Sequence, residues 1–243
     1  MSDIFIDEFS GITKFIERVI NGNPTLIETE EWKNYKQSKL LSLSLKKSGI
    51  PEIALSIELD DLKLGLNSED KISAIKQYIY YFSTHNKNSS LYLWSTRNGT
   101  QKTTTASIIG KELIKKGFSC KFILMSDLSK LLLNESFSEE DKMEIDALFR
   151  VDFLIIDDSF DPKKVTIYKS GYQISFLDSF LRKRMESLGK TICFTSNFKE
   201  IDEKIFGISL KSLIDREVKK LEFKIPYKGI TSSFDIDKIF DTE

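Results

Sequence analysis

The sequence has few residues that bind structural metals and no long apolar segments. It contains two cysteines, Cys120 and Cys193, and a single histidine, His85. Neither cysteine belongs to a CxxC pair, which argues against a structural zinc site. Both lie in apolar stretches, so we expect small buried thiols in strands. No apolar run reaches the roughly 18 residues that span a bilayer, and the N-terminus lacks a signal-peptide pattern, so we expect no membrane segment and a cytoplasmic location in a bacterial cell.

A strong net charge is also absent. The chain has 36 lysines and arginines against 37 acidic residues, a formal charge of −1. The basic balance that often marks a nucleic-acid-binding domain is missing, so any contact with DNA must come from local patches. A length of 243 residues with 40% hydrophobic residues suits one medium domain and a small appendage.

The first 48 residues predict a small helical module. The apolar residues of Ile12–Ile20 have helical spacing, and Glu30–Lys47 is a Lys-rich amphipathic stretch. A turn at Asn21–Pro24 separates them. The second helix ends at Ser48-Gly49-Ile50-Pro51, because glycine favours a helix C-terminus and proline cannot continue the helix. We therefore divide the chain into a module of residues 1–48 and a domain of residues 49–243.

Strands and helices alternate in the larger domain, after a helix near Glu69–Ser83. The predicted strands are Leu91–Trp94, Phe118–Met125, Asp152–Ile156 and Thr191–Thr195, and the predicted helices are Thr103–Lys116, Asp127–Leu133 and Phe176–Leu188. The third strand is fully apolar, as buried strands of parallel sheets usually are. This alternation predicts an α/β fold with a central parallel sheet flanked by helices.

The first of these strands leads into a loop with the features of a phosphate-binding loop (P-loop). Strand, tight loop, Lys-Thr and helix follow one another, as a P-loop requires. In such a loop, backbone N–H groups cradle phosphates, the lysine neutralises them, and the next hydroxyl binds Mg²⁺. These two side-chain roles are assigned to Lys102 and Thr103. The remaining predicted nucleotide-binding residues are Thr96, Asn98, Gly99, Thr100, Gln101 and Thr104.

The loop departs from the GxxxxGK[ST] pattern at both of its glycines. Thr96 and Gln101 stand where glycine tolerates unusual backbone angles and lets the backbone approach phosphate. A glutamine before the lysine either narrows the pocket or strains the turn. We therefore expect ATP and ADP binding with Mg²⁺, but weak hydrolysis.

Two further strand ends carry polar residues that suit the same chemistry. Four apolar residues precede Asp157 and Asp158, which is the Walker B pattern. Asp157 would hold Mg²⁺, and Asp158 would orient or deprotonate the attacking water. Considered alone, the pair is equally compatible with a solvated acidic turn after a strand. The last predicted strand leads into Asn197, and ligands of open α/β sheets bind at such carboxyl ends.

Together these motifs resemble the DnaC/DnaI/IstB branch of the AAA+ ATPases, over roughly residues 48–225. The matching segments are Ser48–Pro51, Leu91–Ala106, Lys111–Phe122, Asp157-Asp158, Arg182–Ile192 and Thr195-Ser196-Asn197. The resemblance implies an AAA+ P-loop NTPase core in which Asn197 is sensor 1, the residue that places water near the γ-phosphate. The short, divergent form is similar to phage or mobile-element versions.

The resemblance also implies a homo-oligomer in which an arginine of one subunit completes its neighbour's ATP site. Arg216 is the candidate for this arginine finger; the alternative is a surface arginine paired with Asp215 or Glu217. A sensor 2 arginine is expected later in the chain, but no arginine follows Arg216. Lys228 could replace it.

Lysines alternate with tyrosines after the Walker B strand. This pattern suits single-stranded DNA, whose backbone binds lysine and whose bases stack on aromatic rings. The candidates are Lys163, Lys164, Tyr168, Lys169 and Tyr172. The alternative is a solvated loop that covers core. A second cluster is Arg182-Lys183-Arg184, but three consecutive residues of a helix cannot share one face, so at least one should be structural or simply solvated.

Three functions remain compatible with these motifs. The first is an ATP-controlled loader that binds the replicative DNA helicase, with residues 1–48 as the docking module, and delivers it to single-stranded DNA. The second is an IstB-like ATPase that assists a transposase on duplex DNA. The third is a nucleotide-binding adaptor that does not hydrolyse ATP and instead occupies a host helicase or its loader.

Overall fold

The computed structural model describes residues 5–7, 10–20, 23–62, 68–85, 89–133, 138–162 and 171–223. The chain divides into two compact units, residues 1–46 and residues 47–243. The sequence places the domain boundary at residue 48, close to this division. None of the helices in the described ranges has the length and apolarity needed to cross a bilayer.

The first unit contains an antiparallel sheet and most of one long helix. The strands β1 (Phe5–Ile6), β2 (Thr13–Ile20) and β3 (Asn23–Glu28) lie in that order, and α1 (Glu30–Ser48) follows. The predicted helix over Ile12–Ile20 is wrong, and the module is therefore not all helical. This segment is rich in β-branched residues, and the Asn-Gly that follows it is a strong hairpin signal. Pairing with β3 outweighs the helical spacing.

The second unit is built on a five-stranded parallel sheet, in the order β5-β6-β7-β4-β8. Its strands are β4 (Ser90–Trp94), β5 (Cys120–Leu124), β6 (Phe153–Asp157), β7 (Thr191–Ser196) and β8 (Val218–Glu222). Strands β4, β6 and β7 are buried along their whole length, as their apolar sequences predict. The predicted α/β fold with a parallel sheet is confirmed. It places the carboxyl ends of β4, β6 and β7 side by side.

Helices accompany this sheet. They are α2 (Glu52–Leu55), α3 (Ser68–Thr84), α4 (Lys102–Lys115), α5 (Met125–Leu133), α6 (Glu139–Arg150), α7 (Gly171–Arg182) and α8 (Glu203–Glu217); a 3₁₀ turn spans Leu59–Asp61 and a π-helix spans Lys183–Ser187. The sequence analysis missed α6, α8 and β8. Helix α6 has a capping box between Ser138 and Asp141 that could have revealed it. In β8, the last strand of the sheet among the described residues, charged side chains obscure the pattern of apolar residues that indicates a strand.

Close packing of α4 on the sheet fixes the position of the P-loop. A Cβ on Gly110 would lie 2.8 Å from Cys120 Sγ and 3.0 Å from Ile155 Cδ1, so any side chain here would force these neighbours to shift. Cys120 and Cys193 are both buried free thiols, as predicted. The helix is therefore held against the middle of the sheet, and its N-terminus meets the end of β4.

The basic cluster at 182–184 separates into three environments. Arg184 is fully buried and donates hydrogen bonds to the carbonyl oxygens of Leu148, Phe149, Val151 and Thr191. Arg182 bonds Asp178 and Ser209, while Lys183 lies over the ring of Phe149. The sequence predicted that at least one of the three is structural or simply solvated, and Arg184 is structural, because it joins α6 to β7.

Candidate functional site

The loop after β4 turns through two left-handed backbone positions before α4 begins. Gly99 has φ +74°, and Gln101, which immediately precedes the helix, has φ +63°. Glycine adopts this region freely, whereas a residue with a Cβ is strained there. The sequence predicted either a narrowed pocket or a strained turn at Gln101. The backbone angle establishes the strain, at the residue next to Lys102.

Lys102 is a largely buried cation at the first position of α4. Its Nζ donates to the backbone oxygen of Arg97 at 3.2 Å and to Thr100 Oγ1 at 3.1 Å. Burial lowers the pKa of its ammonium group, and the nearby Asp157 carboxylate partly opposes that shift. Both acceptors are neutral. Within the described part of the chain, the ammonium charge is therefore not cancelled by an ion pair, which leaves it available to a phosphate.

The Asp157 carboxylate accepts hydrogen bonds from hydroxyl groups on two other elements. Thr103 Oγ1, on α4, donates to Asp157 Oδ1 at 2.7 Å. Thr195 Oγ1, at the end of β7, donates to the same oxygen. The carboxylate thus sits beside the threonine that follows the P-loop lysine. Oxygen ligands of this type, with water, are those that Mg²⁺ prefers.

Hydrogen bonds from the residues that follow β6 and β4 connect the ends of β6, β7 and β4. The amide of Asp158 donates to Thr195 Oγ1 at 3.1 Å, and the amide of Ser159 donates to the Thr195 carbonyl at 2.7 Å. Ser95 N, just after β4, donates to the carbonyl of Ser196 at 3.1 Å. Asp158 has φ +55°, a strained backbone of the kind that concentrates at functional sites.

A pocket of about 440 Å³ opens where these elements meet. Its volume falls within the range of about 300–1,000 Å³ that is typical of small-molecule sites. The lining residues are Asn98, Gly99, Thr100, Gln101, Lys102, Thr103, Thr104, Leu124, Asp157, Asp158, Thr195, Ser196 and Asn197. Of the predicted nucleotide-binding, metal and catalytic residues, all of which are described, Thr96 and Arg216 do not line it. The structure therefore brings the predicted P-loop, Walker B and sensor 1 residues into one cavity.

Arg216 occupies a different environment, at the end of α8. Its side chain is 54% exposed and forms ion pairs with Glu186 and Glu217. Both acidic partners raise the pKa of its guanidinium, with Glu217 the larger influence. Within one chain, Arg216 is thus a surface arginine held in salt bridges, which is the alternative to the arginine finger. Its exposure leaves Arg216 accessible to a second molecule.

Two groups of predicted residues have no described surroundings. Lys163, Lys164, Tyr168 and Lys169 lie outside the described residues, and Tyr172 is described only as part of the α7 backbone. The sensor 2 candidate, Lys228, also lies outside them. The assignments of these residues stay predictions.

The sequence analysis missed the side chain of Thr195 as a site residue. Its hydroxyl donates to Asp157 and accepts from the Asp158 amide, so it positions both predicted acidic residues. The motif Thr195-Ser196-Asn197 was noted for its resemblance and for Asn197 alone. The signal available in the sequence was a hydroxyl residue near the end of the apolar strand that leads into Asn197.

The pocket residues fit a magnesium nucleotide. A desolvated lysine, a helix N-terminus and a glycine-containing loop provide positive potential where phosphates would lie. The carboxylate of Asp157 and the hydroxyl of Thr103 provide oxygen ligands next to them. No cluster of three or more His, Cys, Asp or Glu side chains able to hold a metal occurs among the described residues, so a metal here would need ligands from the nucleotide and water.

Comparisons with known proteins agree with the predicted resemblance. No protein-family model matches the chain. The chain is 30% identical over 118 residues to the replicative helicase loader DnaC of Buchnera aphidicola subsp. Baizongia pistaciae (strain Bp). The match covers 47% of each protein, so the chain spans about half the length of this curated relative.

Solved structures show the same fold. A crystal structure of DnaI has a TM-score of 0.57 and 21% identity, over 75% of this chain and 97% of DnaI. A crystal structure of the DnaC helicase loader gives 0.56 and 20%, over 72% and 100% of the two chains. The initiator DnaA, bound to AMPPCP and single-stranded DNA, gives 0.55 and 15%, over 70% and 50%. The predicted resemblance to DnaC/DnaI-type AAA+ proteins is confirmed.

Proposed function

We propose that this chain, which has the fold of the AAA+ P-loop NTPases, binds ATP and acts as a loader of a replicative DNA helicase. The observation that carries the proposal is the convergence of Lys102, Thr103 and Asp157 in one pocket at the strand ends. The similarity to a curated DnaC loader and the fold shared with DnaI point to the same process. The chain would bind the helicase and deliver it to single-stranded DNA.

Each pocket residue has a defined task in this proposal. Magnesium-bound ATP supplies the phosphoanhydride whose cleavage would reset the loader. Lys102 neutralises phosphate charge, and the first amides of α4 donate hydrogen bonds to phosphate oxygens. Thr103 and Asp157 hold the metal, directly or through water. Asp158 orients or deprotonates the attacking water and Asn197 fixes its position, while Thr195 holds the Asp157 carboxylate and the Asp158 backbone amide in place.

Residues outside the pocket supply the partner surfaces of the proposed loader. Residues 1–48, with their sheet and long helix, are the proposed helicase-docking module. The loop after β6, with Lys163 and Lys169, is the proposed contact to single-stranded DNA. Arg216 is the proposed arginine finger of a homo-oligomer, which requires that it leaves Glu186 when a neighbouring subunit presents its nucleotide.

Binding of a fluorescent ATP analogue to the full chain tests the nucleotide site. We expect Mg²⁺-dependent binding by the wild type and at least tenfold weaker binding by Lys102→Ala, because the phosphates lose their only buried cation in the described pocket. Lys115→Ala is the matched control, since this exposed lysine lies on the same helix and pairs with Glu58 and Glu112. Equal binding by all three proteins would refute the P-loop assignment.

A second function is favoured by the strained Gln101 and by the pairing of Arg216 within its own chain. It is an adaptor that binds nucleotide and a helicase but does not hydrolyse ATP. Steady-state hydrolysis with single-stranded DNA and helicase separates the two. The loader should turn ATP over and lose helicase loading in Lys102→Ala. An adaptor would show no turnover above background and would bind helicase equally well in both forms.

A further inference from the structure

The edge of the parallel sheet at β5 carries a second groove, which shares the lining residue Leu124 with the nucleotide pocket. Among the described residues, strand β5 has a neighbour, β6, on one side only. A cavity of about 520 Å³ is lined by this strand and by helices α5 and α6. Sheet edges are normally covered or blocked, because unpaired strands attract other chains. This groove is a site at which another element could pack.

The floor of the groove is apolar, and its walls carry more acidic than basic residues; the one lysine among the lining residues, Lys130, pairs with Asp127. Phe122 and Leu131 form part of the floor, together with Leu124, whose side chain is 39% exposed. Asp141 and Glu144, both on α6, line the wall. Helix α6 as a whole carries five acidic and two basic residues. An occupant should therefore combine large aliphatic side chains with several positive charges.

Helix α1 has the complementary composition. It carries two acidic and five basic residues, the reverse of α6. Residues spaced by four, three and four positions lie on one face of a helix. In α1 this spacing relates Lys36, Leu40, Leu43 and Lys47, all of which are exposed. Leu40 and Leu43 are 65% and 45% exposed, which is unusual for two leucines on one helical face.

We propose that the exposed face of α1 (Lys36, Leu40, Leu43 and Lys47) docks into the β5 groove of a second copy of this chain. The two leucines would cover the apolar floor, and the flanking lysines would meet the carboxylates of α6. Lys36 already pairs with Glu28 of its own chain, but that contact is exposed, and exposed pairs contribute little to stability. Exchanging it for contacts to several carboxylates would therefore cost little.

The proposed contact joins two different surfaces of the same chain. Such a heterologous contact generates rings or open chains rather than a closed two-fold dimer. It also involves neither Lys102 nor Arg216. Association through it should consequently occur without nucleotide, which separates its failure from failure of the proposed ATP site.

Sedimentation velocity of the full chain over a range of concentrations and salt tests this interface. We expect nucleotide-free wild type to form species larger than a dimer at low salt and to dissociate as salt rises. Glu144→Lys and Lys47→Glu should each weaken association about tenfold or more, because each places like charges in contact. Asp146→Lys is the matched control: it lies on the same helix, pairs with Arg150 and does not line the groove, so it should associate as wild type does.

An equimolar mixture of Glu144→Lys and Lys47→Glu provides the decisive measurement. In the mixture, the unchanged α1 face of Glu144→Lys can dock into the unchanged groove of Lys47→Glu. The reversed charges of the two variants can also pair with each other, because the carboxylate introduced by Lys47→Glu would meet the ammonium group introduced by Glu144→Lys. Association should therefore return towards the wild-type level. Thermal unfolding of each variant, together with its binding of the ATP analogue, establishes that the single variants are folded. A wild type that stays monomeric at all concentrations overturns the proposal, even if the two variants alter its melting temperature. Association that neither variant weakens overturns it as well.

Discussion

Thr103 and Asp157 lie 54 positions apart in the chain, yet Thr103 Oγ1 donates a hydrogen bond of 2.7 Å to Asp157 Oδ1. One residue opens the helix after the P-loop and the other ends the Walker B strand. The contact depends on β6 lying next to β7, which in turn lies next to β4. It pre-positions two oxygen groups of the proposed Mg²⁺ site before any nucleotide binds.

Asp157→Asn should weaken Mg²⁺-dependent binding of the ATP analogue by about tenfold to hundredfold, the range seen when groups around a metal are altered. Binding in excess EDTA should change little, because Lys102 and the loop amides remain. Asp152→Asn is the control, since this residue precedes the same strand and pairs with Lys190 instead. Equal loss with and without the metal would contradict a metal role for Asp157.

Gln101→Gly should stabilise the protein, although it removes a side chain. Gln101 has φ +63°, and relief of that strain by glycine should exceed the extra entropy of the unfolded chain, for a net gain of up to about 1 kcal/mol. Gln77→Gly is the matched control at an exposed position of α3, where glycine should cost about 1 kcal/mol. Urea unfolding of the two variants measures whether each gains or loses free energy of unfolding. A loss of stability at both positions would contradict strain at Gln101.

Arg184→Met should reduce the free energy of unfolding by about 3–5 kcal/mol, because several buried carbonyl oxygens would lose a charged hydrogen-bond donor, each at a cost of about 1–3 kcal/mol. Its guanidinium is the shared donor to carbonyl oxygens of α6, the α6–β6 connection and β7, which would be left unsatisfied. Lys183→Met, at the exposed neighbouring position over Phe149, should change stability by less than about 1 kcal/mol. Denaturant midpoints of both variants decide the comparison; similar losses would contradict a structural role for Arg184.

Stability should fall above pH 9. Burial raises the pKa of the Cys120 thiol from 9.0 to about 12 and that of Tyr92 from 10.0 to about 12. At a pH between the ordinary pKa of each group and its raised pKa in the folded protein, the unfolded chain releases a proton that the folded chain retains. The stabilisation is therefore complete below pH 9 and is lost as pH rises towards 12.

Urea unfolding at pH 8, 9 and 10 measures this decline. We expect a loss of about 1 kcal/mol by pH 10 for the Cys120 thiol alone. Cys120→Ala should show a shallower decline over the same interval, because alanine does not titrate. An identical pH dependence in the variant would show that the buried thiol does not contribute.

Much of the fold followed from local sequence patterns. The apolar strands β4, β6 and β7 were predicted because burial on both faces requires apolar side chains throughout. Helix α4 was predicted from its spacing and from the loop before it. The hairpin of β2 and β3 was not, because Ile12–Ile20 satisfies a helical period as well as a strand pattern, and only pairing between Ile16 and Ile27 and their neighbours decides between them.

The chemistry of the site was determined largely by the sequence itself. Lys102, Thr103, Asp157, Asp158 and Asn197 follow strands in an order that the chain alone reveals, since polar residues after buried strands must emerge at a sheet edge. Tertiary structure decided what depends on distance between remote segments. It placed the hydroxyl of Thr195 between the Asp157 carboxylate and the Asp158 amide, held Arg216 against Glu186, and buried Arg184 among carbonyl groups of other elements. Such contacts arise from the packing of segments far apart in the chain, which no local periodicity encodes.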